Sequence, residues 1–178
     1  MTATDQSAFR ELYLRFERRL HRVAYTVLLD HADASDVVQE VFVQLHHEGL
    51  PREVSAEAWL WRVTMNSALS WRRRLLRFGR AWSAPRPSSA DPEQALGIRQ
   101  GLDALRAAIH ALPPKQRAVV ALHLAAGLQP SEIAAALQIT ANAARVTLHR
   151  ALKSLQESLT SAGIDPGSLS TVQVEETS

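Results

Sequence analysis

Four polar side chains recur on one face of a helix that is predicted near the C-terminal end of the chain. They are spaced by three or four residues, so they share one side of an α-helix: Asn142, Arg145, His149 and Lys153. The opposite side is apolar at the same spacing and is predicted to face inward: Ala144, Leu148, Ala151, Leu152 and Leu155. Arg and Asn pair with base edges in the DNA major groove, and Lys binds phosphate. The pattern favours DNA binding over the alternative, an ordinary helical hairpin with a solvated polar face.

A shorter helix and a tight turn precede this recognition-type helix. Pro130 fits the first helical position and Glu132 the third, where free amide groups favour a carboxylate. Gln138 and Ile139 are predicted to form the turn, and Thr140 to cap the second helix through its hydroxyl. Two short helices joined in this way predict a helix-turn-helix, which places its second helix in the major groove.

A second group of chemically active side chains surrounds an arginine run. Five arginines and no acidic residue lie between positions 71 and 80, and they repel one another unless an anion compensates. A protein that captures an unpaired DNA strand needs a basic track for phosphates and groups that contact bases. The candidates are Arg62, Asn66, Arg72, Arg73, Arg74 and Arg77. The alternative is that the arginines only keep the helix soluble; Trp59 in the same helix is predicted to be core.

A third group lies on the solvent side of an otherwise apolar helix. Its members are Asp36, Gln39, Glu40 and Gln44. Their oxygens can accept hydrogen bonds from an arginine-bearing partner. A solvated helix face explains them equally well, so this group alone does not decide between docking and solubility.

The elements that position these groups are all predicted to be α-helices. A first helix over 7–29 would bury one face: Phe9, Leu12, Tyr13, Phe16, Leu20, Val23, Ala24, Val27 and Leu28. A second helix, capped by Asp33 and ended by Gly49, would bury Val37, Val38, Val41, Phe42 and Leu45. Further helices are predicted from 56 through the arginine run, over 95–111, and over 115–126, with Gly127 as a left-handed cap.

The spacing of breakers predicts two small helical domains. Prolines at 85, 87 and 92 with clustered serines predict a flexible linker over 81–95. The first domain would cover 1–80, the second, which ends in the helix-turn-helix, 96–160, and a loose tail 161–178.

Composition excludes several classes of function. The chain has no cysteine, so disulfides and thiolate metal sites are excluded, and its N-terminus lacks the pattern of a secretory signal. Its seven histidines share no ligand spacing, and no catalytic triad, phosphate loop or paired carboxylate is present. We therefore expect a cytoplasmic protein that is not an enzyme and has no metal, cofactor or small-molecule substrate.

Three motifs in this order resemble the extracytoplasmic-function (ECF) group of bacterial sigma factors, over roughly 9–159. They are DASDVVQEVFVQLHH (33–47), AWLWRVTMNSALSWRRR (58–74) and the segment 111–152, which contains the helix-turn-helix. The resemblance implies that the first motif binds the coiled coil of the largest polymerase subunit. It implies that the second melts and reads the minus-ten promoter element, and that the third reads the minus-thirty-five element. Residues 142–147, at the start of the recognition-type helix, differ from those usual in this family. The resemblance therefore does not indicate which upstream DNA sequence the helix would read.

The resemblance implies a sigma factor that directs core RNA polymerase to promoter DNA, aids promoter melting, and is held inactive by an anti-sigma protein. Two alternatives are kept. A sigma-mimicking adaptor would sequester an anti-sigma protein without touching DNA, but known mimics carry an added receiver domain, for which this chain has no room. A stand-alone helix-turn-helix regulator would leave the first ninety residues unexplained.

Overall fold

The computed structural model describes residues 3–51, 54–77 and 94–164, with side chains from residue 6 in the first range and from residue 100 in the last. Every regular element in these ranges is an α-helix, as the apolar spacing predicted. None of the described helices is long and apolar enough to cross a membrane. The helices are α1 (Ala3–Leu28), α2 (His31–Glu48), α3 (Ala56–Arg77), α4 (Gln94–Ala111), α5 (Pro114–Ala126), α6 (Pro130–Leu137) and α7 (Ala141–Ser161).

The start of α2 is capped by a different residue from the one predicted. The side chain of Asp30 accepts a hydrogen bond from the backbone N–H of Asp33 at 2.9 Å. Asp33 therefore lies in the first turn, and its prediction as the cap was wrong because α2 already begins at His31. Gly49 ends α2 as predicted, with a φ of +71° that glycine adopts without steric cost.

Helices α1, α2 and α3 pack into a bundle that we call the front module. Its centre is formed by apolar side chains that are fully buried: Phe16, Leu20, Val23, Val27, Val37, Val41, Leu60, Trp61 and Met65. Trp59 is 4% exposed, so its prediction as core is confirmed. The rings of Phe16 and Trp61 meet edge to face, with centroids 5.9 Å apart, which stabilises the contact between α1 and α3.

Helices α4 to α7 form the rear module, in which a buried arginine holds the turn between α4 and α5. Arg117 is 3% exposed, and its guanidinium donates hydrogen bonds to the backbone carbonyls of Ile109, His110 and Leu112. These carbonyls lie at the C-terminal end of α4 and just after it, where the backbone leaves acceptors unsatisfied; only that of Ile109 also accepts from the N–H of Leu112, at 3.2 Å. A cation there supplies the missing donors. Gly127 ends α5 in the predicted left-handed conformation, with a φ of +72°.

The predicted helix-turn-helix is formed by α6 and α7. Gln138 makes the turn in the left-handed conformation, and the hydroxyl of Thr140 accepts a hydrogen bond from the N–H of Ala143 at 3.1 Å. The carboxylate of Glu132 accepts a hydrogen bond from the N–H of Gln129 at 2.7 Å and so closes the start of α6. Leu152 was predicted to face inward but is 37% exposed, because it lies on the flank of the buried stripe of α7.

The two modules are in contact and share one continuous hydrophobic core. Helix α1 packs on α5 and α4, and α3 packs on α5 and α6. Arg19 of α1 joins the modules, since one of its Nη atoms donates to the carbonyl of Ala126 at 3.1 Å and the other lies 3.5 Å from a carboxylate oxygen of Glu57. Of the predicted linker, 81–93 lies outside the described residues, whereas 94 and 95 already belong to α4. The part of the predicted tail beyond 164 also lies outside them.

Candidate polymerase and nucleic-acid interfaces

The predicted docking residues of α2 share one side of the helix. Asp36, Gln39 and Glu40 are exposed, and steps of three and four residues keep them together. Gln44 is half-buried on the same side, and its amide donates to a carboxylate oxygen of Glu48 at 2.9 Å. The face therefore offers acceptors of hydrogen bonds to a partner along about two turns of α2.

A groove between α1 and α2, which sequence analysis missed, runs beside this face. It has a volume of about 480 Å³, and Gln39 lies in its wall. Tyr13 packs on Phe42, with ring centroids 4.8 Å apart, yet Tyr13 is 43% exposed, so the prediction that it is buried was wrong. Val43 is 49% exposed in the same groove. An apolar groove next to hydrogen-bonding groups is a usual composition for a surface that binds protein.

Four of the six predicted nucleic-acid residues of α3 form one stripe. Arg62, Asn66, Arg73 and Arg77 follow one another at steps of four, seven and four residues, which brings each back to the same side of a helix. Asn66, Arg73 and Arg77 are exposed, and Arg62 is half-buried. The stripe therefore presents three guanidinium groups and one amide along about four turns of α3.

The other two predicted residues of α3 lie away from this stripe. Arg74 is exposed, and its guanidinium carbon lies 5.0 Å from the centroid of the Trp71 ring, a cation–π contact. Arg72 is half-buried and turns toward the rear module. Arg72 is therefore not part of the stripe, because its register follows Ala68 and Met65, which face the core.

Arg72, His110 and Arg117 form a cationic cluster between the modules. Arg72 donates from Nη2 to Nε2 of His110 at 2.9 Å and to the His110 carbonyl at 3.2 Å. Burial, and then the charges of Arg72 and Arg117, lower the pKa of His110 to about 4. Burial and the charge of Arg72 lower the pKa of Arg117 to about 10, and burial lowers the pKa of Arg72. Neutral His110 is therefore the acceptor that allows two guanidinium groups to approach each other.

The lowered pKa of His110 predicts that the folded chain loses stability in mild acid. An unfolded histidine takes up its proton near pH 6.5, whereas folded His110 resists protonation down to about pH 4. The unfolded state therefore binds more protons in this window, and stability falls as the pH drops from about 6.5 toward 4. We expect a loss of about 1 kcal/mol at pH 5, after allowance for partial exposure. Thermal unfolding followed by circular dichroism at pH 7 and pH 5 measures it.

The control for this prediction is the variant His110→Gln, which cannot titrate. Its unfolding temperature should fall less between pH 7 and pH 5 than that of the wild type. Equal falls in both proteins would assign the acid sensitivity to other groups.

The predicted DNA-contacting residues of α7 all reach solvent. Asn142, Arg145, His149 and Lys153 are exposed on one side of the helix, while Ala144 and Leu148 opposite them are buried. Lys153 lies 3.9 Å from a carboxylate oxygen of Glu157, a contact between two exposed groups that is worth little. The four side chains are therefore presented together and are held in register by the Thr140 cap.

The histidines near the turn between α1 and α2 take part in packing. His31 stacks on Tyr25 with ring centroids 4.2 Å apart and on His21 at 5.5 Å. Across the residues that the structure describes, no group of three His, Asp or Glu side chains is placed to hold a metal ion.

Comparison with protein families assigns both modules. The family described as "Sigma-70 region 2" matches residues 12–78, which cover most of α1 to α3. The family described as "Sigma-70, region 4" matches residues 102–155, which contain α5 and α6 and parts of α4 and α7.

Known relatives and solved structures agree with this assignment. The RNA polymerase sigma-E factor of Streptomyces avermitilis is 33% identical over 165 residues, 90% of each chain. The ECF RNA polymerase sigma factor SigE of Mycolicibacterium smegmatis is 33% identical over 87% of this chain and 64% of its own length. CnrH, solved in complex with the cytosolic domain of CnrY, superposes with a TM-score of 0.66 at 26% identity, over 88% of this chain and 90% of CnrH. The sigma factor RpoE of Bartonella quintana shares the fold, with a TM-score of 0.66 at 21% identity over 86% of this chain and 97% of RpoE. The chain therefore belongs to the sigma-70 family, in the extracytoplasmic-function group of RNA polymerase sigma factors.

Proposed function

We propose that the front module binds core RNA polymerase through one face of α2 and the groove beside it. We call this face the acidic face of α2; it consists of Asp36, Gln39, Glu40 and Gln44. The exposed carboxylates of Asp36 and Glu40 would accept hydrogen bonds from basic side chains of the polymerase. The groove lined by Tyr13 and Val43 would receive apolar side chains. The observation that carries this proposal is that Gln39 belongs to both surfaces, so one partner element can contact them together. The chain would act in the cytoplasm as a non-catalytic subunit, while the polymerase makes RNA.

The stripe of α3 would hold the unpaired downstream strand of the promoter. Arg73 and Arg77 lie about one turn apart and would contact neighbouring phosphates, with Arg74 on their flank. Arg62 lies about 16 Å from Arg73 along the helix and would contact a phosphate farther along the strand. Asn66 lies between Arg62 and Arg73, and its amide can donate to and accept from a base that has left the stack. Arg72 would join this track only when it is released from His110.

Helix α7 would read the upstream element in the major groove. Asn142 and Arg145 lie nearest its N-terminus, the end that contacts base edges in helix-turn-helix proteins. His149 and Lys153 lie one and two turns farther on, where they would contact the DNA backbone. By binding the upstream element, the rear module would therefore determine the position at which the front module contacts the downstream DNA.

Replacing Arg145 by alanine tests the upstream assignment. If Arg145 contacts a base edge, the variant loses about 1–3 kcal/mol of binding free energy for promoter DNA when it is assembled with core polymerase. Titration of holoenzyme against labelled promoter fragments measures this loss. Arg18→Ala, which removes another exposed arginine, on α1, is the matched control and should bind like the wild type. Wild-type affinity of the Arg145 variant would remove Arg145 from the interface.

We also propose an anti-sigma partner, on the grounds of family membership. CnrH was solved with the cytosolic domain of CnrY, and RpoE of Bartonella quintana with the anti-sigma factor NepR. An anti-sigma protein of this chain would cover the surfaces that bind polymerase or DNA and so keep the chain inactive.

Run-off transcription tests the proposed function directly. Purified chain is mixed with bacterial core polymerase and fragments of the host genome, and RNA is sequenced from its 5′ ends. Transcripts that require the chain support the proposal. Binding to core without transcripts would favour the sigma-mimicking adaptor, and DNA binding without any affinity for core would favour the stand-alone regulator.

A further inference from the structure

An aliphatic side chain lies within the polar face of α7. Val146 comes four residues after Asn142 and three before His149, so it projects from the same side of the helix. Around the helix axis it lies about 40° from Asn142, since a helix turns by about 100° per residue, and exposed Lys153 and Arg150 flank it. Val146 is 38% exposed, so an isopropyl group is open to solvent on the face proposed to enter the major groove.

Neither the core nor helix formation accounts for a valine at this position. Val146 belongs neither to the buried core nor to the partly buried side chains that pack on it, whereas Ala144 and Leu148 belong to the core. Branching at Cβ makes valine a poorer helix former than the preceding alanines. The same branching holds the side chain in essentially one rotamer within a helix. Val146 is therefore a rigid apolar group on a surface that otherwise makes hydrogen bonds.

The major groove offers only one apolar group to such a side chain. Base edges present nitrogen and oxygen acceptors and amino donors there, and the methyl group on C5 of thymine is the exception. An isopropyl group that covers a donor or an acceptor removes water from it without supplying a hydrogen bond, which is unfavourable. Against the thymine methyl group it buries apolar surface on both sides. Val146 would therefore discriminate in favour of thymine at the base that it covers.

The position of that base follows from the place of Val146 along α7. Recognition helices of this type contact base edges with their N-terminal residues, and Val146 is the sixth residue of α7. The rise from Asn142 to Val146 is about 6 Å, which is close to two base-pair steps of about 3.4 Å. The thymine would therefore lie within about two base pairs of the base that Asn142 contacts.

We propose that Val146 selects a thymine in the upstream promoter element through the methyl group on C5 of that base. The proposal rests on the proposed function, because it requires α7 to lie in the major groove, and it adds the identity of one base. The hydrogen bonds to other bases and to phosphates remain assigned to Asn142, Arg145, His149 and Lys153.

Removal of the methyl group alone tests the proposal. Deoxyuridine pairs like thymidine but lacks the methyl group, so each thymidine of the upstream element, on either strand, is replaced by deoxyuridine in turn. The probe is the promoter that gives the strongest chain-dependent transcript in run-off transcription, and it is titrated with holoenzyme assembled from the chain and core polymerase. One replacement should weaken binding by the wild type about fourfold, the equivalent of one buried methyl group.

The variant Val146→Ala should abolish this sensitivity, because its side chain is too short to reach the methyl group. It should bind the thymidine and deoxyuridine promoters equally, with about the affinity of the wild type for the deoxyuridine promoter. The matched control is Leu124→Ala, since Leu124 is also 38% exposed but lies on α5, outside the polar face. This control should keep the fourfold difference, and circular dichroism establishes that both variants are folded.

A second base analogue should restore affinity. With cytosine in place of the selected thymine, and guanine opposite it, wild-type holoenzyme should bind more weakly. 5-Methylcytosine at the same position returns a methyl group to the major groove. It should therefore recover about fourfold in affinity for the wild type and nothing for Val146→Ala.

Three outcomes would overturn the role of Val146. They are an upstream element without thymine, wild-type binding that no deoxyuridine replacement weakens, and equal sensitivity to deoxyuridine in the wild type and Val146→Ala. Failure of the proposed function would be different, because holoenzyme would then bind equally well after the whole upstream element is replaced by unrelated sequence. That result would refute the DNA-reading role of α7, and the contact of Val146 with it, whereas the three outcomes above leave the role of α7 intact.

Discussion

Replacing Glu40 by arginine is expected to remove most of the affinity of the chain for core RNA polymerase. Glu40 is exposed in the middle of the acidic face of α2, next to Asp36 along the helix and close to the groove. Reversal of its charge would place a guanidinium against the basic partner that we propose. Loss of one member of a hydrogen-bonded charge pair in an interface costs about 2–5 kcal/mol, and the new repulsion adds to it. Titration of labelled chain with core polymerase measures the change.

The matched control is Glu11→Arg on α1, an exposed residue that does not line the groove. It makes the same change in net charge and should leave the affinity for core unchanged. Similar losses in both variants would attribute the effect to net charge and would refute the role of Glu40. Binding of upstream DNA by the rear module should be the same in all three proteins.

The double replacement of Asn66 and Arg73 by alanine is expected to abolish formation of the open promoter complex while preserving assembly with core polymerase. Both side chains are exposed on the stripe of α3, seven residues apart, on the side opposite the buried residues Thr64 and Ala68. We expect each change to cost about 1–3 kcal/mol, one through a base and the other through a phosphate. Reactivity of unpaired thymines with permanganate reports the open complex, and titration with core reports assembly.

Arg22→Ala on α1 is the control for this prediction, since it removes one exposed guanidinium from the same module. It should leave open-complex formation intact. Loss of core binding in the double variant, with thymine reactivity restored at high protein concentration, would show that the stripe contacts polymerase rather than DNA.

Local chemistry was sufficient to predict most of the helices and their ends. The Thr140 hydroxyl, Gly49 and Gly127 were identified from the residue types that helix ends require, and each lies where it was predicted. The buried stripe of α7 followed from spacing alone, except for Leu152 on its flank. Asp33 was misplaced because Asp30 is an equally good cap three residues earlier, and spacing could not choose between them.

The candidate sites were only partly accessible from sequence. The acidic face of α2 could be predicted from the spacing of residues in a single helix. The groove could not, because it forms only where α1 and α2 lie side by side, and no local pattern specifies that packing. The inward orientation of Arg72 could in principle be predicted from the sequence, because Arg72 lies four residues after Ala68 on the buried side of α3. Its partner could not, because His110 comes from a distant part of the chain and only tertiary packing brings the two together.

The shared apolar interior has a consequence for how the protein melts. Buried side chains of α1 and α3 are continuous with those of α5 and α6, so unfolding of one half would expose part of the core of the other. Calorimetry of the isolated chain should therefore record one heat-absorption peak, with calorimetric and van't Hoff enthalpies in agreement. The two modules should therefore denature together, as one cooperative unit.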